Sequence, residues 1–143
     1  MQILLNMVRR YGMEAMLKEI STYALAYLGD SVMELCVRTM LVKKGVSSSK
    51  RLNALALEYV TAKAQAQAVT KILPLLTEEE DAVYHRGRNI GHTNVPKSAS
   101  VAEYRMATGF EALFGYLHLA GRKERIDELF AVAFNSETDN GGN

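Results

Sequence analysis

Between Tyr23 and Lys44 apolar residues occupy almost every face of a helix, with Leu25, Leu28, Val32, Leu35, Cys36 and Met40 forming one stripe at helical spacing. A helix patterned this way is central and buried. Ser21 or Thr22 offers its N-cap, Lys43 and Lys44 suit the negative end of its dipole, and Gly45 stops it. Residues 2–19 mix short apolar groups with Arg9, Arg10 and Gly12, which leaves room for one or two short helices. Beyond Gly45, Ser47 to Ser49 provide the next N-cap. Leu52, Leu55, Tyr59, Val60, Ala66, Val69 and Leu73 then keep the 3.6-residue period, which predicts one helix over Lys50–Leu73 ending at Pro74.

Thr77 and Glu80 have capping-box spacing and open a helix with acids in its first turn, running toward Arg86. The connection Asn89–Ser100, with Gly91, Pro96 and several small polar groups, is long for a helical bundle, and long loops often bind something. From Val101 to Leu119 one face carries Met106, Phe110, Leu113 and Leu117, and a second carries Tyr104, Thr108, Glu111, Gly115 and His118. A last helix, Lys123–Phe134, has Ile126, Leu129, Phe130 and Ala133 as its apolar stripe, and NSETDNGGN at 135–143 reads as a disordered tail. No repeat or linker divides the chain. The expectation is one all-α domain over residues 1–134.

Composition agrees with that reading. A chain of 143 residues with 48% hydrophobic and 23% charged residues, two prolines and no tryptophan is an ordinary globular domain rather than a disordered, collagen-like or disulfide-framed one. Cys36 is the single cysteine, has no internal disulfide partner, and between Leu35 and Val37 suits a buried thiol in a reducing compartment. No run approaches about 18 apolar residues, and Met1–Val8 is too short for a signal segment. These features predict a cytoplasmic protein with no membrane partner.

The net charge of +1 by itself names no polyanion, but its distribution is uneven. Lys43, Lys44, Lys50, Arg51 and Lys63 stand against Glu58 alone, and Arg86, Arg88, Lys97 and Arg105 against Glu103 alone, within an otherwise acidic chain. Such blocks are either solvated faces or one positive surface for a phosphate backbone.

The chemistry narrows by exclusion. No Cys/His set has zinc spacing, and no Gly-rich phosphate loop is present; His85, His92 and His118 read as surface or loop groups. Two acids stand out. Asp30, in YLGDSV, and Glu111, in ATGFEAL, each sit inside a helix among apolar or small neighbours, where a carboxylate needs a cation nearby. That cation is an arginine such as Arg38 or Arg105, or else a metal, for which two helices crossing at these residues would bring two hard oxygen donors onto one Mg²⁺.

The segment ALAYLGDSVMELCVR, residues 24–38, resembles the signature helix of the ribonuclease III endonuclease domain, and YRMATGFEALFGYLHL, residues 104–119, resembles that family's second acidic helix. With RGRN at 86–89 and the lengths of the connections, the pattern is most similar to Mini-ribonuclease III, a compact bacterial branch without a separate double-stranded-RNA-binding domain. The resemblance implies an all-α homodimer that cleaves double-stranded RNA with Mg²⁺, Mn²⁺ being an alternative ion, leaving 5′-phosphate and 3′-hydroxyl ends, and that matures 23S ribosomal RNA precursors. It places Asp30 and Glu111 as metal-holding catalytic residues. The acids that the wider family carries four residues before the aspartate and three before the glutamate are Ala26 and Thr108 here, as in the compact branch. Those two absences keep a non-catalytic RNA-binding or ribosome-associated protein of the same fold as the alternative. Tyr27, Leu28 and Ser31 would meet their two-fold mates in the dimer. Lys63, Arg86, Arg88 and Lys97 are the candidate RNA-backbone contacts, set against surface pairing of the arginines with Glu78, Glu79 or Asp81. A ribosomal protein is a candidate further partner.

Overall fold

A computed structural model describes residues 1–90 and 99–134, the side chains of residues 4, 7, 11, 13 and 14 apart. Among the described residues every regular element is helical: α1 (Gln2–Tyr11), α2 (Met13–Glu19), α3 (Thr22–Lys43), α4 (Ser49–Val60), α5 (Ala62–Ile72), α6 (Glu78–Arg88), α7 (Val101–Leu119) and α8 (Lys123–Ala133), with a 3₁₀ turn at Leu73–Leu75. The predicted tail 135–143 and residues 91–98 of the predicted long loop lie outside the described residues.

Local capping chemistry sets most of these boundaries. Ser21 Oγ accepts from the Ala24 N–H at 3.0 Å, and Ser48 Oγ from the Arg51 N–H at 3.2 Å. Thr77 with Glu80 and Ser100 with Glu103 form full capping boxes. At the end of α3, Gly45 takes φ +86°, which a glycine adopts without strain, and lets the Val46 N–H reach back to the Leu41 carbonyl at 3.2 Å.

The single helix expected over Lys50–Leu73 is two helices. Thr61 is extended (φ −69°, ψ 152°), and its hydroxyl accepts from the Ala64 N–H at 3.2 Å, so it serves as the N-cap of α5. A β-branched threonine whose hydroxyl satisfies the next helix gains as much by breaking the helix as by continuing it. The break lets α4 lie on α3 while α5 packs on α7. A continuous apolar period cannot reveal such a bend, because both halves keep the same phase.

α7 is the hub. It packs against α3, α5, α6 and α8, and from Ala107 to Leu117 every residue except Glu111 is buried. Phe110, Leu113, Phe114 and Leu117 are fully enclosed. The neighbours come unusually close because glycines face them: a Cβ on Gly29 would lie 1.6 Å from the Glu111 carbonyl oxygen, and one on Gly115 would lie 2.0 Å from the Leu25 carbonyl oxygen. On the other side, a Cβ on Gly87 would fall 2.8 Å from Gly109 Cα.

α8 is tied back by a buried ion pair. Arg125 donates through Nε to Glu80 Oε2 at 2.9 Å and through Nη2 to Glu80 Oε1 at 2.8 Å and to the Leu75 carbonyl at 2.9 Å, while also meeting Glu128. Burial pushes the Glu80 carboxyl up, but the Arg125 and Thr77 hydrogen bonds outweigh it and hold the group below its ordinary value. The expected α3 stripe is corrected at one position. Leu25 and Val32 are buried and Leu28, Cys36 and Met40 partly so, but Leu35 is 66% exposed on an outward face shared with Tyr23, Tyr27 and Val42.

The glycine contact is directly testable. Gly29→Ala drives a methyl group into the α7 backbone, which cannot give way as a flexible side chain would, so the variant is expected to lose about 3 kcal/mol or more in urea unfolding. Gly12→Ala, where a Cβ meets nothing within 4 Å, loses only the smaller cost of its positive φ. Equal losses would show that the close crossing is absent.

Candidate active site

The Gly29–Glu111 contact sets the level at which α3 and α7 touch, and Asp30 is the next residue along α3. The two predicted carboxylates therefore meet: Asp30 is exposed, Glu111 is half-buried, and their side chains share a hydrogen bond. Glu111 is pushed up to about 8, first by burial, then by the charge of Asp30 and by that hydrogen bond. The arginine alternatives do not form. Arg38 turns to Glu34, one turn away at 3.4 Å, and Glu111 meets Asp30 rather than Arg105.

Two carboxylates in contact are stable only when they share a proton or when a cation sits with them. Two hard oxygen donors, one half-buried and one open to solvent, fit a divalent ion that keeps several waters. The flanking positions add no acid. Ala26 and Thr108 are each 8% exposed, and the Thr108 hydroxyl donates to the Tyr104 carbonyl at 3.0 Å. Among the described residues no group of three or more His, Cys, Asp or Glu side chains gathers as a metal site.

The basic candidates fall in different places. Arg86 is exposed and Arg88 half-buried, and they flank Gly87, whose backbone lies against Thr108, Gly109 and Ala112 of α7; both arginines thus sit beside the stretch of α7 that carries Glu111. The predicted pairing of these arginines with the acids of α6 is not what the side chains do. Glu79 lies 3.8 Å from Arg122, and Asp81 lies 3.2 Å from His85. Lys63 is exposed in the first turn of α5, and Lys97 lies outside the described residues. Tyr27 and Ser31 are exposed and Leu28 is half-buried, so the surface proposed to meet a second copy is open.

Three polar groups escaped the sequence reading. Gln65, which lies between the exposed Lys63 and Gln67, is 3% exposed. Glu80 was legible as a cap but not as the partner of Arg125, which stands 45 residues away. Tyr116 is 4% exposed, with its hydroxyl buried and without a hydrogen-bond partner among the described residues.

Comparison with known proteins bears on the same residues. The profile of the Ribonuclease III domain family matches residues 23–122, a span that includes both carboxylates. A Mini-ribonuclease 3 from Enterococcus faecalis is 46% identical over 114 residues, covering 78% of this chain and 86% of that protein. One from Symbiobacterium thermophilum is 49% identical over 109 residues, covering 76% and 84%. One from Desulfitobacterium hafniense is 48% identical over 128 residues, covering 87% and 80%. The crystal structure of a Fusobacterium nucleatum protein superposes with a TM-score of 0.75 at 32% identity, covering 83% of this chain and 95% of that one.

The carboxylate pair has a pH signature. In the metal-free protein Glu111 holds its proton up to about pH 8 when folded, but only up to the ordinary carboxylate range when unfolded. Folding therefore takes up a proton between those limits, and stability falls as pH rises through that window. With EDTA present, Glu111→Gln is expected to flatten the fall in Tm between about pH 5 and pH 8 and to be the more stable protein at the upper end. Parallel curves for wild type and variant would mean that the two carboxylates do not meet.

Proposed function

The chain belongs to the ribonuclease III domain family of endoribonucleases, within its Mini-ribonuclease 3 branch, and on that footing we propose that it cuts double-stranded RNA in ribosomal RNA precursors, with Asp30 and Glu111 holding Mg²⁺ or Mn²⁺. The observation that carries the proposal is the meeting of two carboxylates, 81 residues apart in sequence, at a crossing so close that only glycine fits it.

When bound, the ion supplies Lewis-acid stabilisation of the phosphoryl oxygens and a water acidic enough to attack at neutral pH. Asp30, exposed at the mouth, presents its carboxylate to solvent. Glu111 behind it holds its shared proton up to about pH 8 and would give it up at lower pH when a cation offsets the charge of Asp30, so metal binding and proton release would go together. Thr108, whose hydroxyl donates to the Tyr104 carbonyl, adds no carboxylate, so water and RNA oxygens would complete the set around an ion held by Asp30 and Glu111. Arg86 and Arg88, beside the Glu111 stretch, with Lys63 and Lys97, would hold the backbone of an A-form duplex, which proteins read by shape, phosphates and 2′-hydroxyls. Attack by water in line with the 3′ oxygen leaves 5′-phosphate and 3′-hydroxyl ends.

A homodimer would place two such sites on one duplex. Its support is the outward face of α3, where Tyr23 (71%), Tyr27 (79%), Leu35 (66%) and Val42 (64%) are exposed around Ser31. Leu35 also lines a groove of about 660 Å³ with Val32, Cys36, Met40 and Phe130. Large exposed apolar side chains gathered on one helix face, here around Ser31 and the Arg38–Glu34 pair, are what a partner surface offers. No helix among the described residues is long and apolar enough to cross a membrane. The absence of acids at Ala26 and Thr108 favours one other reading, an RNA-binding protein of the same fold that does not cut.

A ribosomal-precursor duplex incubated with Mg²⁺ separates the two. Wild type is expected to cut it, while Asp30→Asn and Glu111→Gln bind it with near-normal affinity and lose about a thousandfold or more in rate, as when groups acting only on the transition state are removed. Binding by wild type without cleavage in either Mg²⁺ or Mn²⁺ would establish the non-catalytic reading. Separately, Tyr27→Asp with Leu35→Asp is expected to sediment as a monomer at micromolar concentration where wild type is a dimer; a wild-type monomer removes the two-strand groove from the mechanism.

A further inference from the structure

Asp81 and His85 stand one turn apart on α6, outside the carboxylate pair, and the imidazole is held by three contacts. His85 Nδ1 lies 2.9 Å from the Asp81 carbonyl oxygen and 3.2 Å from Asp81 Oδ2. The ring stands edge-on to that of Tyr84, with centroids 5.2 Å apart and planes at 89°, and Tyr84 is 2% exposed. The imidazole is therefore set against the core although 43% of its side chain is open to solvent.

Those contacts fix the tautomer as well as the direction. A carbonyl oxygen and a carboxylate oxygen accept hydrogen bonds and do not donate them, so in the neutral ring Nδ1 carries the proton and Nε2 carries the lone pair. Nε2 lies on the ring edge away from Asp81, which makes it an acceptor of fixed orientation on α6. Arg88 follows three residues later on the same face, and a long side chain in a helix lies back over the preceding turn, here the one that holds Tyr84 and His85. Burial pushes the Tyr84 hydroxyl up and the charge of Arg88 opposes that push, in agreement with this placement. No salt bridge engages Arg88 among the described residues. Gly87, between the two, lies against Thr108, Gly109 and Ala112, so this corner of α6 borders the stretch of α7 that carries Glu111.

A cation that only donates beside a fixed acceptor matches one unit of an RNA strand. Each ribonucleotide offers a phosphate, which accepts, and a 2′-hydroxyl, which can donate; a deoxyribonucleotide keeps the first and lacks the second. We propose that His85 and Arg88 form a ribose-reading pair, in which His85 Nε2 accepts from a 2′-hydroxyl of the bound duplex while Arg88 takes an adjacent phosphate. The pair rests on the duplex-cutting reading given above and supplies a specificity-determining residue for it; His85 takes no part in hydrolysis.

The test measures binding of the full chain, in EDTA so that nothing is cut, to an RNA duplex and to the 2′-fluoro duplex of the same sequence, which keeps the A form and lacks the donor. His85→Ala is expected to weaken binding of the RNA duplex about fivefold, as for the loss of one hydrogen bond between neutral groups, and to leave the 2′-fluoro duplex unaffected. His85→Gln, whose amide oxygen can accept, should keep part of the preference, and Arg88→Gln should weaken both duplexes by one common factor. Nitrogen NMR of the free protein should show the neutral His85 ring protonated at Nδ1, with Nε2 shifted by the RNA duplex and not by the 2′-fluoro duplex. The proposal is overturned if His85→Ala leaves the ratio of the two affinities unchanged, or if the neutral ring carries its proton on Nε2. Failure of the wild type to bind either duplex, with or without Mg²⁺, would instead overturn the duplex-cutting reading itself.

Discussion

The contact of Gly29 with the Glu111 carbonyl is the constraint on which the molecule depends. Two helices that carry ordinary side chains at their crossing stay 8–10 Å apart. With Gly29 and Gly115 facing the opposing backbone, α3 and α7 come closer, and α6 does the same from the other side through Gly87 and Gly109. The hub helix is enclosed in this way, so its apolar residues need not be arranged as a single stripe. The same approach puts Asp30 next to Glu111. Packing and chemistry therefore come from one feature, and a side chain introduced there damages both.

The two acid clusters of the protein show opposite solutions to burying charge. Glu80 is almost fully enclosed, yet it accepts from Arg125, Thr77 and nothing of like charge, and so it stays ionised below its usual range. Glu111 is less enclosed but faces Asp30, and it is driven to about 8. One arrangement is satisfied within the fold and ties α8 to α6. The other brings two groups of like charge into contact, which the fold accommodates by a shared proton and not by a cation of its own.

Several elements were legible because their determinants are local. The α7 boundaries, Val101 and Leu119, follow from the apolar pattern, and Thr77 with Glu80 announced α6 through groups three residues apart. Thr61 was missed although its chemistry is also local. A threonine inside a helical period is as compatible with a mid-helix hydroxyl as with an N-cap, and only the separate destinations of α4 on α3 and α5 on α7 decide between them. Leu35 was assigned to the core for a related reason. Its spacing fits the stripe, but α3 is apolar all round, and periodicity does not say which of its faces has a partner within the same chain.

By itself the sequence determined the all-α class, the caps and the two helices that bear acids, and it singled out Asp30 and Glu111 as carboxylates among apolar or small neighbours, because each depends on residues within a turn or two of one another. The tertiary structure decided which cation was excluded, sending Arg38 to Glu34 and leaving Glu111 against Asp30 rather than Arg105, and it decided that the two acids face each other, that Gln65 is enclosed and that the Tyr116 hydroxyl has no partner among the described residues. Those outcomes depend on how closely helices distant in sequence approach. That distance is set by which glycines happen to face which backbone, a relation that exists only once the chain has folded.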